Sequence, residues 1–195
     1  AEAIGPPGAG SGSAPRHAVT MTGEMVDLFP SREEGVRRLV ATMLERLPGV
    51  PRRFYAGADG FLEAGEALSS GRRVASANWM ATAALVAARV DPALLVDVGS
   101  TTTDLVPVRG GQMVARGTDD ATRLVSGDLL YTGVVRTPLM ALTERVPFDG
   151  EWVPLMAEHF ATTADVYRLT GQLPDGADQH PAADGGEKTL PASAR

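Results

Sequence analysis

The sequence has 195 residues, 44% of them hydrophobic and 22% charged, with a net charge of −6 and a pI near 5.1. That balance folds, but it offers no basic run with interleaved aromatics, which argues against nucleic acid as a partner. The absence of cysteine removes disulfides, thiolate zinc sites and a cysteine nucleophile. No apolar run reaches the roughly 20 residues of a membrane helix, and the first residues lack the basic start and apolar centre of a signal peptide. The expectation is a cytoplasmic protein with no membrane partner.

In chain order, residues 1–16 are rich in Gly, Pro, Ala and Ser and read as a flexible linker. "HAVTMTGEMVDLF" opens the folded region, 17–173, as a short β-rich run that meets a turn at Gly23-Glu24. "PSREEGVRRLVATMLERL" follows as an amphipathic helix. Ser31 stands at its N-cap, Glu33 and Glu34 occupy its first turn, and Val36, Leu39, Val40, Met43, Leu44 and Leu47 share one face before Pro48-Gly49 ends it. Residues 52–56 read as a short strand. "ANWMATAALVAARV" is a second helix, apolar almost all round and therefore expected to be buried, with Asn78 and Trp79 opening it as an N-cap and a core aromatic. It runs into "ALLVDVG", a buried strand, and then into "DLVPV", the turn "RGGQ" and "MVARG", a β-meander. Strand, helix, strand, helix and then consecutive strands argue for an α/β fold with a mixed sheet. Residues 174–195 return to a polar, Pro- and Gly-rich composition and read as a tail or the start of a further C-terminal part.

The chemistry concentrates in "VDVGSTTTDLVPV". Asp97 ends an apolar strand, where a carboxylate needs water, a donor or a cation to offset desolvation. Gly99 permits positive φ and the close approach of a ligand. Ser100, Thr101, Thr102 and Thr103 offer hydroxyls, and the turn offers N–H groups, a combination suited to phosphate oxygens. Asp97 and Asp104 beside a phosphate would work through Mg²⁺, directly or through its waters. The bland alternative is a hairpin whose Ser and Thr satisfy their own backbone.

Other segments leave two readings open. Thr22-Gly23-Glu24 is either one side of a polar cleft, with Glu24 as its carboxylate, or a turn. Arg136, after "YTG", is placed either to clamp a diphosphate with two parallel hydrogen bonds or to pair with Glu144 on the surface. "SGD" at 126–128 reads as a helix C-cap and turn. Thr162 or Thr163 caps a helix whose first turn holds Asp165, a helix-dipole pairing that needs no function. His17, His159 and His180 are widely spaced and make no recognisable zinc site, and no G-x-S-x-G elbow supports a serine triad.

Five segments together carry a resemblance: "VTMTGEMVDLFPSREEGV", "ASANWMATA", "DVGSTTTDLVPV", "YTGVVRTPLMAL" and "EHFATTADVYRLTGQL". The third resembles the second phosphate motif of the actin-like ATPase superfamily. The set is similar to the hydantoinase/oxoprolinase group, and within it to proteins of tetrahydromethanopterin-linked one-carbon metabolism, as in methylotrophy. The resemblance implies an actin-like, ribonuclease H-like fold and a Mg²⁺-dependent transferase of methanofuran-type cofactor synthesis. Such an enzyme joins an aminomethyl-furan diphosphate to a glutamyl-tyramine phenol with loss of diphosphate. Asp97, Asp104 and Glu24 are its expected catalytic carboxylates, Asp97 and Asp104 its metal ligands, and Gly99, Ser100, Thr101, Thr102, Thr103 and Arg136 its phosphate-binding residues, with ATP or a diphosphate-bearing substrate as the ligand. An ATP-dependent hydrolase of the hydantoinase type and a non-catalytic nucleotide-binding module are the other readings.

The D-x-G-G turn of the superfamily's first phosphate motif does not occur in this sequence. The resemblance therefore implies that an N-terminal lobe of the same protein completes the cleft. An exposed apolar face and self-association are expected without it.

Overall fold

A computed structural model describes residues 16–26 and 28–193, so most of the expected linker lies outside the described residues. The chain divides into two compact units, the first ending at Leu85 and the second beginning at Val86.

In the first unit, strand β1 (His17–Val19) pairs parallel with β2 (Arg52–Tyr55), and β2 pairs antiparallel with β3 (Phe61–Glu63). A parallel pair requires a crossover, supplied here by helix α1 (Arg32–Arg46). Its start is the expected one: the Ser31 hydroxyl accepts the N–H of Glu34 at 3.2 Å. Val36 and Val40 of α1 pack with Met21, Phe54, Ala56, Leu62, Ala67 and Val74 to form the core. Leu39 and Met43 are partly buried against it, and Leu44 is exposed. At the far end of the helix the buried Arg52 donates to the carbonyls of Met43 (2.8 Å), Leu47 and Val50 (2.9 Å). A short helix α2 (Ala64–Ser69) follows β3.

Helix α3 (Asn78–Ala87) is not buried all round. Trp79, Ala83 and Ala87 are buried at successive four-residue steps, and Leu85 is 45% exposed. Alanines make the helix apolar on every side, but only the stripe that meets a neighbour is covered.

The second unit is built on β4 (Ala93–Val98) and β5 (Thr103–Arg109), paired antiparallel along six residues. The other edge of β5 is shared by β6 (Gln112–Met113) and β7 (Leu129–Leu130), so the expected meander is present. Between β6 and β7 runs helix α4 (Asp120–Ser126), ended by Gly127 in the left-handed conformation as "SGD" suggested. A separate hairpin, β8 (Arg145–Phe148) and β9 (Glu151–Pro154), turns through Asp149 (φ +49) and Gly150 (φ +82). Helix α5 (Thr163–Leu169) begins at Thr162 with a capping box to Asp165, and α6 (Leu190–Ser193) closes the described residues.

The expectation of a buried β4 does not hold. Leu94, Val96 and Val98 are 59%, 51% and 50% exposed. Among the described residues β4 is an edge strand with β5 as its one neighbour, and its Leu94–Val96–Val98 face is left open to solvent.

Candidate functional site

The loop joining β4 to β5 is residues 99–102, closed by the Gly99 N–H donating to the Thr102 carbonyl at 2.8 Å. Gly99 is not among the glycines with positive φ, so the expected use of that freedom is not realised. A Cβ at Gly99 would meet the Thr102 carbonyl oxygen at 3.3 Å, a tight but not prohibitive contact. Ser100 is exposed, Thr101 and Thr102 are half-buried, and the Ser100 and Thr101 hydroxyls lie 3.4 Å apart. Thr103 differs: it is buried, and its hydroxyl donates to the Thr132 carbonyl at 2.6 Å, a structural engagement within the fold.

Register sets the two aspartates opposite each other, Asp97 on β4 against Asp104 on β5. Directly opposed residues of an antiparallel pair project on the same face, and like charges there repel. Arg123 of α4, 1% exposed, resolves the conflict with an Nη2 contact of 2.8 Å to Asp104 Oδ1, while also donating to the Asp128 carbonyl at 3.0 Å. Asp104 is thus held by a buried guanidinium, whereas Asp97 is exposed beside the loop. The two carboxylates expected to share one task stand in different environments.

A second wall comes from residues 131–137. The N–H groups of Val134, Val135 and Arg136 donate to Gly99 O (3.0 Å), Ser100 O (3.1 Å) and Ser100 O (2.9 Å). Gly133 makes the contact possible: a Cβ there would fall 2.5 Å from the Ser100 carbonyl carbon and the Thr101 nitrogen. Its peptide is fixed in turn by two buried hydroxyls. Thr137 Oγ1 accepts the Gly133 N–H at 2.8 Å, and Thr163 Oγ1 donates to the Gly133 carbonyl at 2.9 Å. The loop is consequently a backbone arch braced from behind.

Sequence alone gives Thr163 as a candidate helix cap and Gly133 as part of "YTG", but no role for Thr137 or Arg123 and none for these four in bracing the loop. The T-G-x-x-R-T string at 132–137 was the available signal for Gly133 and Thr137, since a glycine and a threonine four residues apart fit a strap pressed onto another loop.

The remaining predicted residues lie elsewhere. Arg136 is exposed and lines a cavity whose walls include none of residues 99–102, and it forms no ion pair with Glu144 among the described residues. Glu24 belongs to the first unit and is 3% exposed. Its Oε1 accepts the N–H (2.9 Å) and hydroxyl (3.2 Å) of Ser76, which has φ +52. That arrangement makes Glu24 an anchor for Ser76, a non-glycine residue at positive φ just ahead of α3.

No group of three or more His, Asp or Glu able to cage a metal occurs among the described residues. Mg²⁺ seldom needs one, because it keeps several waters and is held through one or two carboxylates plus substrate phosphates. Asp97 beside the loop fits that mode.

The hydantoinase/oxoprolinase family model matches residues 16–194, and the chain belongs to this family. Over 170 residues it is 34% identical to the (4-{4-[2-(gamma-L-glutamylamino)ethyl]phenoxymethyl}furan-2-yl)methanamine synthase of Methanocaldococcus jannaschii, a match covering 82% of this chain and 51% of that protein. It is 41% identical over 73 residues to the synthase of the same name from Methanococcus vannielii, covering 37% of this chain and 32% of that protein. The chain thus spans about half the length of the first of these relatives.

Proposed function

We propose that this chain is part of a transferase of methanofuran-type cofactor synthesis, with an actin-like fold around the 99–102 loop. In this reading the loop and Asp97 hold the diphosphate of an aminomethyl-furan diphosphate. The acceptor is the phenol of γ-glutamyltyramine, the fragment implied by the relatives' printed name. The phenol oxygen bonds to the exocyclic CH₂ of the furan, the bond from that carbon to diphosphate breaks, diphosphate leaves with the electron pair, and the phenol proton passes to solvent. The braced loop supports the reading, because donors fixed before the reaction stabilise developing charge without reorganising. Mg²⁺, when bound, supplies charge neutralisation on the departing diphosphate. Asp97 orients the ion or its waters, while Asp104, neutralised by Arg123, keeps the β5 end of the loop in register.

The test is diphosphate release from the furan diphosphate plus γ-glutamyltyramine, in the presence and absence of EDTA, for wild type and Asp97→Asn. Removing a metal-orienting carboxylate should lower turnover at least ~10-fold with an unchanged circular dichroism spectrum. Equal, EDTA-insensitive turnover in both would overturn the reading. The family name favours one competitor, ATP-dependent opening of a cyclic amide. That activity would instead yield ADP and phosphate with oxoproline or hydantoin and no ether product.

A further inference from the structure

The cavity lined by Arg136 has a volume of about 320 Å³ and lies in the second unit, within the size range of small-ligand sites. Its walls carry Arg136, His159, His180, Lys188, Asp165 and Asp178. Both carboxylates are already engaged. Asp165 accepts from the Thr162 N–H (2.9 Å) and from Arg168 (2.8 Å). Asp178 accepts from Arg168 (2.7 Å) and Lys188 (2.7 Å). Burial works against ionisation of Asp178, and the hydrogen bonds from Lys188 and Arg168 more than offset it, so its pKa lies below the usual carboxylate value. Arg168 and Lys188 thus neutralise the two aspartates, and the remaining charge is that of Arg136.

We propose that this cavity seats the carboxylate of the second substrate, the α-carboxylate of a γ-glutamyl amine, with the Arg136 guanidinium as its main contact. The inference rests on the transferase reading and names the acceptor's place within it. One net positive charge matches a singly charged carboxylate, and the guanidinium fork presents two parallel N–H donors to it. A diphosphate would bring several negative charges against walls that already hold two carboxylates. His159 and His180 add ring N–H donors at the same wall. The placement is also economical of chain: the backbone N–H of Arg136 is bonded to Ser100 of the loop, and the same residue lines the cavity.

The experiment is calorimetric titration of wild type, Arg136→Gln and Asp97→Asn with two probes, γ-glutamyltyramine and Mg²⁺ diphosphate. Arg136→Gln should weaken γ-glutamyltyramine at least about 10-fold and leave diphosphate within about twofold, while Asp97→Asn does the converse. The α-methyl ester of γ-glutamyltyramine should bind wild type as weakly as the free acid binds Arg136→Gln. The proposal is overturned if Arg136→Gln binds γ-glutamyltyramine as well as wild type does, if wild type does not bind it, or if the variant loses diphosphate instead, which would make the cavity the diphosphate's. A protein that releases no diphosphate from the furan ester, yet loses γ-glutamyltyramine binding on Arg136→Gln, would sink the transferase reading and keep the carboxylate site.

Discussion

Asp97 and Asp104 face each other across one ladder rung, yet they should answer the same substitution differently. Asp104→Asn takes the Asp104 carboxylate away from the guanidinium of Arg123, which is 1% exposed. Breaking a buried pair from one side costs about 3–5 kcal/mol. Asp104 keeps some contact with water (17% of its side chain), so the lower end applies, about 3 kcal/mol, or roughly 6–12 °C in melting temperature for a chain of this size. Asp97→Asn should melt with wild type. Thermal unfolding of the two variants side by side decides it, and equal melting temperatures would show that Arg123 does not depend on Asp104. Sequence identified the loop and both carboxylates, because a strand, a glycine and four hydroxyls are contiguous. It did not identify Arg123, nineteen positions on, because the pairing exists only after α4 and β7 fold back onto β5. Gly133 escaped for the same reason: the need for a missing side chain is visible only once another loop lies against it.

At the scale of elements, α1 was legible nearly whole. Its cap, its acidic first turn and its apolar stripe are all encoded within four residues of each position. The device at its other end was not. Arg52 stands on β2 and donates to three carbonyls at and just after the end of α1; that of Met43 also accepts the Leu47 N–H, while that of Leu47 is among the acceptors a helix end leaves open. Arg52→Met keeps much of the bulk and removes the guanidinium from those part-buried carbonyls, at a cost of about 1–3 kcal/mol. Hydrogen exchange should quicken through residues 43–50, and unchanged protection there would remove Arg52 from the account of α1. The β8–β9 hairpin carries a strong local signal, since Asp-Gly between strands favours a turn with positive φ at both positions. The burial of β4 could not be read locally. An apolar run states what a strand would bury, while what covers it depends on elements far away in sequence.

The whole molecule carries a net charge of −6, an open apolar face on β4, and exposed aromatics on opposite faces of the β8–β9 hairpin, where Phe148 and Trp152 are 71% and 64% exposed. An edge strand with an uncovered apolar face invites pairing with another copy. Sedimentation velocity should show concentration-dependent association that Val96→Lys reduces, since a lysine on the edge opposes strand pairing. A wild-type chain that stays monomeric across the concentration series would show that charge repulsion prevails.

The carbonyl of Ser100 accepts the N–H groups of both Val135 and Arg136, and this shared acceptor has a thermodynamic consequence. Whatever stiffens the loop also stiffens the peptide from which the Arg136 side chain departs, so part of the entropy lost in ordering that guanidinium is lost once for two ligands. With both proposed ligands, heterotropic cooperativity is the expected outcome without any change of shape. By reciprocity, the factor by which an occupied loop tightens the cavity must equal the factor by which an occupied cavity tightens the loop.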